Sequence, residues 1–407
     1  MNYNTCTLPS GLRVIHLPGS SPVVYCGIAV KGGTRHEQPG EEGLAHFCEH
    51  LTFKGTERRT SVQIINALEG VGGELNAFTN KEDTVYYCAI LRDHFRRAVD
   101  VLCDIVFCSQ YPQHEVEKER EVVCDEIESY EDSPSELIFD DIENVLFEGH
   151  PLGHNILGTA AQVREYNSDD SLRFVHRYYR PDNCVFFASG DINFSQLVKM
   201  LEAQCPVCSV SPITPINPVS PVSPMGRELI RHRNTHQAHV IVGTRAYAAD
   251  DKRRWGLYLL NNILGGPGMN SRLNLSLRER NGLVYSVESS MACYQDTGLW
   301  TVYFGCDPSD ISRCRRLVRR ELNRLMQQPL TPTQLRMAKR QLQGQLAIAA
   351  DNREQFAIDF AKNFLHTGKM RDLTDVMAHI DILTPEDLQQ TAVELFAEER
   401  MTTLIYD

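Results

Sequence analysis

The sequence has no long apolar run and no excess of positive charge, and each absence excludes a class of protein. None of its apolar stretches approaches the roughly 20 residues that a membrane-spanning helix needs. Residues 1–5 lack the basic segment and following apolar stretch of a secretory signal. With 41 Lys and Arg against 53 Asp and Glu, the net charge is -12, which argues against a general nucleic-acid-binding protein. We therefore expect a cytoplasmic protein that binds neither membranes nor nucleic acids.

The 13 cysteines also lack the pattern of a disulfide framework, since their number is odd and they are scattered along the chain. Most of them stand in apolar stretches, as reduced core thiols do, and this favours a reducing compartment. Cys205 and Cys208 precede His232 and His236 and could form a structural zinc site. The gap between Cys208 and His232 is longer than in small zinc fingers, so this alternative is weak but stays open.

The length of the chain, 407 residues, exceeds what one hydrophobic core usually organises and suits two domains. Residues 205–227 are typical of a linker, because proline recurs at every third position from Pro212 to Pro224. Polyproline II has three residues per turn, so such a segment forms an extended rod. The sequence thus predicts a first domain at 1–204, a Pro-rich linker and a second domain at 228–407.

His46, Glu49 and His50 form the motif His-x-x-Glu-His, the inverted order of the helical zinc-protease motif. Residues three and four apart share one face of a helix, so two imidazoles and a carboxylate can approach a single metal ion. Catalytic zinc binds such nitrogen and oxygen ligands, but it needs a third protein ligand and an open position for water. A solvated polar helix face gives the same short pattern, so the third ligand has to come from elsewhere in the chain.

An acidic helix predicted over residues 115–131 offers that ligand, although acidic runs are usually solvated helix faces. Glu119 and Glu126 are seven residues apart, about 700° of helical rotation, and therefore lie on nearly the same face. Glu126 also stands on the side of Val122 and Val123, where we expect core residues and where an unpaired carboxylate would be costly. Taken alone, Glu126 is more simply interpreted as a surface glutamate.

The second half of the chain repeats the order of strands and helices of the first half. In the first half, strands are predicted at 74–79 and 84–91, after the metal motif. In the second half, the segment Leu-Asn-Asn-Ile-Leu at 260–264 stands where the metal motif would fall. If the chain is a duplication, its second half has no metal site and contributes something else.

Taken together, these motifs resemble the pitrilysin, insulinase and mitochondrial processing peptidase family of zinc proteases over essentially the whole chain. Residues 43–56, Gly-Leu-Ala-His-Phe-Cys-Glu-His-Leu-Thr-Phe-Lys-Gly-Thr, resemble the family's metal helix. Asn-Ala-Phe-Thr at 76–79 resembles its substrate-facing strand, and residues 119–134 resemble its second metal helix. Residues 265–273 and 278–286 resemble the signature of its second half.

The resemblance implies an α+β fold of two similar domains, each an antiparallel β-sheet packed with α-helices. It implies a zinc endopeptidase of the short-chain, processing-peptidase-like branch, which hydrolyses unfolded peptides inside a dimeric clamshell chamber. Zn²⁺, one per chain, would be the cofactor, peptides would be the substrates, and a homodimer is the simpler assembly. A catalytically silent partner or scaffold subunit of the same family is the alternative, although such chains usually have a damaged metal motif.

The resemblance also assigns roles to the residues that match the two metal helices. His46, His50 and Glu126 would bind the metal ion. Glu49 would take a proton from the attacking water and later pass it to the leaving amine. Glu119 would take part in catalysis by orienting the site or balancing its charge.

Substrate binding is assigned to two further places. Asn76 and Ala77 would offer backbone hydrogen bonds to an extended peptide, which would join the sheet as an added strand. Arg278 and Tyr285 match an arginine and a tyrosine with which the family's second-half domains bind and position the substrate. Tyr285 could also donate a hydrogen bond to the developing oxyanion.

Overall fold

Two β-sheets form the centres of two units in the computed structural model, which describes residues 3–205, 226–233, 235–370 and 373–407. The first unit takes residues 1–128, 154–217 and 349–372, and the remaining residues form the second unit. Most of the expected linker, at 206–225, lies outside the described residues, so the extended rod and the domain boundary stay predictions.

The first sheet contains six strands. They are β1 (Asn4–Thr7), β2 (Arg13–Pro18), β3 (Val23–Val30), β4 (Glu74–Thr79), β5 (Thr84–Leu91) and β6 (Cys184–Gly190). Their order is β1-β2-β6-β3-β5-β4, and every neighbouring pair is antiparallel except β2 and β6. Strand β4 pairs only with β5 among the described strands, so one of its edges is open.

The second sheet contains five strands. They are β7 (Glu228–Arg231), β8 (Ala238–Ala246), β9 (Val284–Cys293), β10 (Gly298–Cys306) and β11 (Thr402–Tyr406). The order β7-β11-β8-β10-β9, with β7 and β11 parallel, repeats the order and directions of β2-β6-β3-β5-β4. The expected α+β fold with two similar domains is therefore confirmed, with the difference that each antiparallel sheet contains one parallel pair.

Fourteen helices cover the two sheets in the part of the chain that the structure describes. They are α1 (Leu44–Thr52), α2 (Ser61–Glu69), α3 (Phe95–Cys108), α4 (Gln113–Glu131), α5 (Pro134–Leu146), α6 (Ala160–Glu165), α7 (Ser168–Tyr178), α8 (Phe194–Gln204), α9 (Arg254–Gly265), α10 (Ile311–Gln327), α11 (Pro332–Ala349), α12 (Arg353–Thr367), α13 (Leu373–Asp381) and α14 (Pro385–Leu395). Among the described residues, no helix combines the length and the apolar character needed to cross a membrane.

Each unit takes one helix from the other half of the sequence. In the first unit, helix α12 buries Ile358 and Phe360 in one cluster with Ile15 of β2. In the second unit, helix α5 buries Ile138 in one cluster with Ile241 of β8. A sheet that is apolar on both faces needs a helical layer on each face, and these two helices supply one of the layers in each unit.

Candidate metal centre

The metal motif lies on α1, whose first turn is capped by a carboxylate from outside the helix. Gly43 precedes the helix with a φ of 92°, a left-handed conformation that favours glycine, and it offers no capping side chain. Glu37 takes over this function, because its Oε2 accepts from the Gly43 N–H at 3.0 Å and its Oε1 from the Ala45 N–H at 2.7 Å. His154 also contacts Glu37 Oε2 through Nε2, at 2.8 Å. These hydrogen bonds to Glu37 stabilise the first turn of the metal helix.

His46, His50 and Glu126 converge, so that one ligand atom of each lies within 4.8 Å of the other two. The Nε2 atom of His50 lies 3.4 Å from Oε2 of Glu126, and the Nε2 atom of His46 lies 3.9 Å from Oε1. Helix α1 supplies both imidazoles and helix α4 supplies the carboxylate. The structure thus brings together the three residues expected to bind the metal ion.

These three residues fit a zinc ion by the chemistry of their donor atoms. Two imidazole nitrogens and a carboxylate oxygen are the ligand set of a catalytic zinc site with one position left for water. His46 is only 7% exposed, yet its ring makes no hydrogen bond to any described residue, and its buried Nδ1 has no partner there. A buried imidazole without hydrogen bonds is costly, and a metal bond at Nε2 would account for its place.

The carboxylates give the site a negative field that suits a cation. Burial alone would lower the pKa of His50, but its hydrogen bonds with Glu119 and Glu126 raise that pKa to about 9. Burial and the neighbouring His50 lower the pKa of His46 to about 4. The hydrogen bond with His50 holds the pKa of Glu126 below its ordinary value. One ring is thus stabilised in its cationic form by the same groups that would face a divalent ion.

Glu49 lies beside the ligands and is held by a residue that the sequence analysis did not select. The Thr79 hydroxyl donates a hydrogen bond of 2.6 Å to Glu49 Oε2, and both side chains are only 8% exposed. Burial raises the pKa of Glu49, while the hydrogen bond from Thr79 opposes that shift. In the sequence, Thr79 could be noticed only as the last residue of Asn-Ala-Phe-Thr. Its hydrogen bond to Glu49 became evident only in the fold.

Glu119 forms the link between α4 and the second imidazole. It is 4% exposed, and its Oε1 lies 3.0 Å from His50 Nδ1. Lys54, the second residue missed by the sequence analysis, contacts Glu119 Oε2 at 2.6 Å. Burial would raise the pKa of Glu119, but the contacts with His50 and Lys54 lower it below its ordinary value. Glu119 therefore orients the ring of His50 with Nε2 towards the site.

The position of Glu126 differs from the expected one in its burial. Its side chain is 45% exposed, and Val122, one turn earlier, is 50% exposed. Val123 is buried, so the apolar stripe of α4 passes beside Glu126 and does not include it. The expectation that Glu126 lies among core residues is therefore wrong, and exposure leaves this carboxylate free to turn towards a metal ion.

The residues expected to bind the substrate lie in two places, on an edge strand of the first sheet and in an exposed pair of the second unit. Asn76 and Ala77 stand on β4, one of the two edge strands of the first sheet. In the second unit, the guanidinium carbon of Arg278 lies 5.7 Å from the ring centroid of Tyr285, a cation–π distance. Tyr285 is 83% exposed. Arg278 belongs to a π-helical segment, Asn274–Glu279, and such segments are frequent at functional sites.

The alternative zinc site at Cys205, Cys208, His232 and His236 stays a prediction. Cys208 lies outside the described residues. The Nδ1 atom of His232 makes a hydrogen bond of 2.6 Å with Asp407. His232 is thus engaged with another side chain within the described part of the second unit.

Comparison with known proteins gives matches along most of the chain. The family model described as Insulinase (Peptidase family M16) matches residues 14–160, and that described as Peptidase M16 inactive domain matches residues 165–342. An uncharacterized zinc protease of Streptomyces coelicolor is 34% identical over 98% of this chain and 88% of its own length. The uncharacterized zinc protease YmxG of Bacillus subtilis is 32% identical over 98% of this chain and 97% of its own length.

Solved structures share the fold over the full chain. The crystal structure of a protease from Helicobacter pylori has a TM-score of 0.94 at 22% identity, covering 100% of this chain and 99% of that chain. The crystal structure of a peptidase M16 inactive domain from Pseudomonas fluorescens has a TM-score of 0.89 at 20% identity, covering 100% and 98%.

Proposed function

Because the chain belongs to the insulinase family of peptidases, peptidase family M16, we propose that it is a zinc-dependent endopeptidase acting on unfolded peptides. The observation that carries the proposal is the convergence of His46, His50 and Glu126 within 4.8 Å, beside Glu49. The curated relatives named zinc proteases support it. One Zn²⁺ per chain would be held by the two Nε2 atoms and by the carboxylate of Glu126.

When bound, zinc would lower the pKa of a water molecule and polarise the carbonyl of the scissile bond. Glu119 keeps the Nδ1 atom of His50 engaged at 3.0 Å, so that Nε2 is the nitrogen left for the metal ion. Glu49 Oε2 is occupied by the hydroxyl of Thr79. Glu49 Oε1 would accept the proton of the attacking water and pass it to the nitrogen of the leaving amine.

The substrate would bind as an added strand at the open edge of β4. Backbone hydrogen bonds at Asn76 and Ala77 read the main chain of the peptide more than its side chains. Only an extended, unfolded segment can pair in this way, which accounts for the proposed substrate class. Arg278 and Tyr285 would bind and position the same substrate, with the Tyr285 hydroxyl donating to the developing oxyanion.

The proposed assembly is a homodimer whose two chains enclose a clamshell chamber. Light scattering after size-exclusion chromatography tests this at micromolar concentration. A molar mass near 46.1 kDa, that of one chain, would contradict the dimer. The cytoplasmic location expected from the sequence stays a prediction.

Replacement of the base tests the proposed activity. Glu49→Gln keeps the shape of the side chain and an oxygen for Thr79, but it cannot take up a proton. We expect full zinc content by metal analysis and a fall in kcat of at least about a thousandfold against a fluorogenic peptide library. Glu121→Gln, at an exposed position of α4, is the matched control and should cleave like the parent.

Two outcomes would contradict the proposal. Cleavage by Glu49→Gln at the parental rate would show that another group is the base. A zinc-loaded parent that cleaves no peptide in the library would favour the silent partner or scaffold subunit instead.

A further inference from the structure

A basic groove lies beside α10 in the second unit, although the whole chain has a net charge of -12. Its volume is about 1210 Å³, which is above the roughly 300–1,000 Å³ of small-molecule sites. The described residues that line it include seven arginines and three glutamates, an excess of four positive charges, and none of them is a lysine, histidine or aspartate. The arginines are Arg227, Arg280, Arg315, Arg316, Arg319, Arg320 and Arg324.

The groove follows from the way in which α10 packs on the second sheet. Val318 and Leu322 bury the apolar face of α10 in the core, so its arginines are left on the remaining faces. On the sheet, the groove is lined by a row of three neighbouring residues. Thr403 of β11 stands in this row between its register partners, Glu228 of β7 and Val242 of β8. Strand β7 pairs only with β11 among the described strands, so the groove lies at an open sheet edge.

Part of this positive charge is neutralised within the unit. Arg315 forms an ion pair of 2.6 Å with Glu228, Arg227 forms one of 2.7 Å with Glu148, and Arg320 lies 3.6 Å from Glu321. Arg319 donates to the carbonyl of Phe396 at 2.6 Å, a contact that brings no negative charge. These contacts fix the geometry of one side of the groove.

The guanidinium groups of Arg280, Arg316 and Arg324 have no hydrogen-bond or ion-pair partner within the described chain, and all three side chains are exposed. The segment 206–225, which precedes the lining residue Gly226, contains no charged residue that could neutralise them. The groove therefore keeps an uncompensated positive field, which attracts an anionic ligand.

We propose that this groove binds an extended acidic peptide segment of a partner protein. Arg316, Arg320 and Arg324 recur at every fourth residue of α10, about 6 Å apart along the helix axis. Alternate side chains of an extended peptide lie about 6.6–6.8 Å apart on one side, a closely similar repeat. Arginine, unlike lysine, presents a planar fork that matches a carboxylate. The open edge of β7 offers backbone groups to the same segment.

Single-stranded nucleic acid fits the groove less well, because its binding sites combine positive charge with aromatic side chains on which the bases stack. None of the lining residues that the structure describes is Phe, Tyr or Trp. A flat lipid surface fits less well too, because the arginines line a concave site.

Fluorescence anisotropy with the full-length chain tests the proposal. The probe is a fluorescein-labelled peptide of ten residues with Glu and Ser in alternation, and mass spectrometry of the probe after each titration checks that it is intact. The variant Arg316→Glu/Arg324→Glu should bind it at least about tenfold more weakly than the parent. Arg313→Glu/Arg336→Glu is the control, with the same change in net charge at exposed arginines outside the groove. The dissociation constant of this control variant for the peptide should stay within about twofold of that of the parent.

Circular dichroism checks that both variants fold. If Arg316→Glu/Arg324→Glu does not fold, Arg316→Gln/Arg324→Gln replaces it. We expect this variant to bind the peptide about threefold more weakly than the parent. No binding by the parent at a peptide concentration of about 1 mM, or an equal loss in groove and control variants, would overturn the proposal. Tighter binding of inorganic triphosphate or of an oligonucleotide of equal charge would overturn it in favour of a phosphate site. A peptide with its glutamates in one block that binds as tightly as the alternating probe would overturn the match of spacings.

Discussion

Replacing Thr79 by Val would test whether the threonine hydroxyl holds the base of the reaction. Valine has nearly the shape of threonine and suits a β-strand, so the packing at the end of β4 changes little. The hydrogen bond of 2.6 Å from Thr79 to Glu49 Oε2 is lost. Glu49 is only 8% exposed, so water cannot readily replace that donor. We therefore expect a catalytic defect in a folded, zinc-containing protein.

The size of the defect follows from the type of hydrogen bond. A bond to a charged group contributes about 1.5–3 kcal/mol, which corresponds to roughly a 10- to 150-fold fall in kcat/KM if the whole contribution acts in the transition state. The bond from Thr79 also opposes the rise in the pKa of Glu49 that burial causes. Without it, the pKa of Glu49 rises further, so the acid limb of the pH–rate profile should move to higher pH.

The assay compares Thr79→Val with two other variants. Thr79→Ser keeps the hydroxyl and should recover most of the activity. Thr84→Val is the control: Thr84 is the register partner of Thr79, and its hydroxyl lies 3.3 Å from that of Thr79 but donates to the carbonyl of Gly32 at 2.9 Å. That change should cost stability rather than kcat/KM at a permissive temperature. If Thr79→Val cleaves like the parent, or if Thr84→Val is equally impaired, the positioning role is refuted.

Three further predictions concern the metal ion, the helix cap and a buried histidine. Removal of zinc by a chelator should abolish peptide cleavage, and stoichiometric zinc should restore it in the parent but not in His46→Ala, as metal analysis and a peptide assay can check. Glu37→Ala leaves the N–H groups of Gly43 and Ala45, at the start of α1, without their acceptor, and it should lower the free energy of unfolding by about 2 kcal/mol in urea titrations. An unchanged midpoint would contradict the capping role. Burial, with the charges of Lys31 and Arg35, lowers the pKa of His36 to about 3, so the unfolded chain binds more protons between that value and the ordinary pKa near 6.5, and stability should fall as the pH decreases through this range. This contribution amounts to about 2 kcal/mol between pH 7 and pH 5 and should be absent in His36→Gln, which urea titrations at both pH values measure.

Strong local patterns predicted the elements that hold the site. The strands expected at 74–79 and 84–91 coincide with β4 and β5, and the metal motif lies on a helix, as expected. Short or weakly patterned elements were missed, among them β1, β7 and the helices α13 and α14. A strand of four residues contains too few alternating positions to be distinguished from a loop.

Features that depend on tertiary packing were not accessible from the sequence. The apolar stripe of α4 was recognised, but Val122 and Glu126 lie just outside it, and only the packing partners define that boundary. The amphipathic pattern of α12 shows that the helix is buried on one side, and it contains no information about which sheet it covers. The partners of Thr79 and Lys54 likewise depend on chain segments distant in sequence.

Helix α5 packs in the second unit and helix α12 in the first, and this arrangement has a consequence for the synthesis of the protein. The first sheet is complete in the nascent chain once β6 has left the ribosome, at residue 190. Its covering helix α12 ends only at Thr367. At translation rates of 5–20 residues per second, the interval is roughly 9–35 s.

During that interval Ile15, Val185 and Phe187 would face water on the newly made sheet. Transiently exposed apolar surface of this kind makes a growing chain prone to aggregation. A gene divided at residues 206–225 would make this state permanent, since the first product would lack α12 and the second would lack α5.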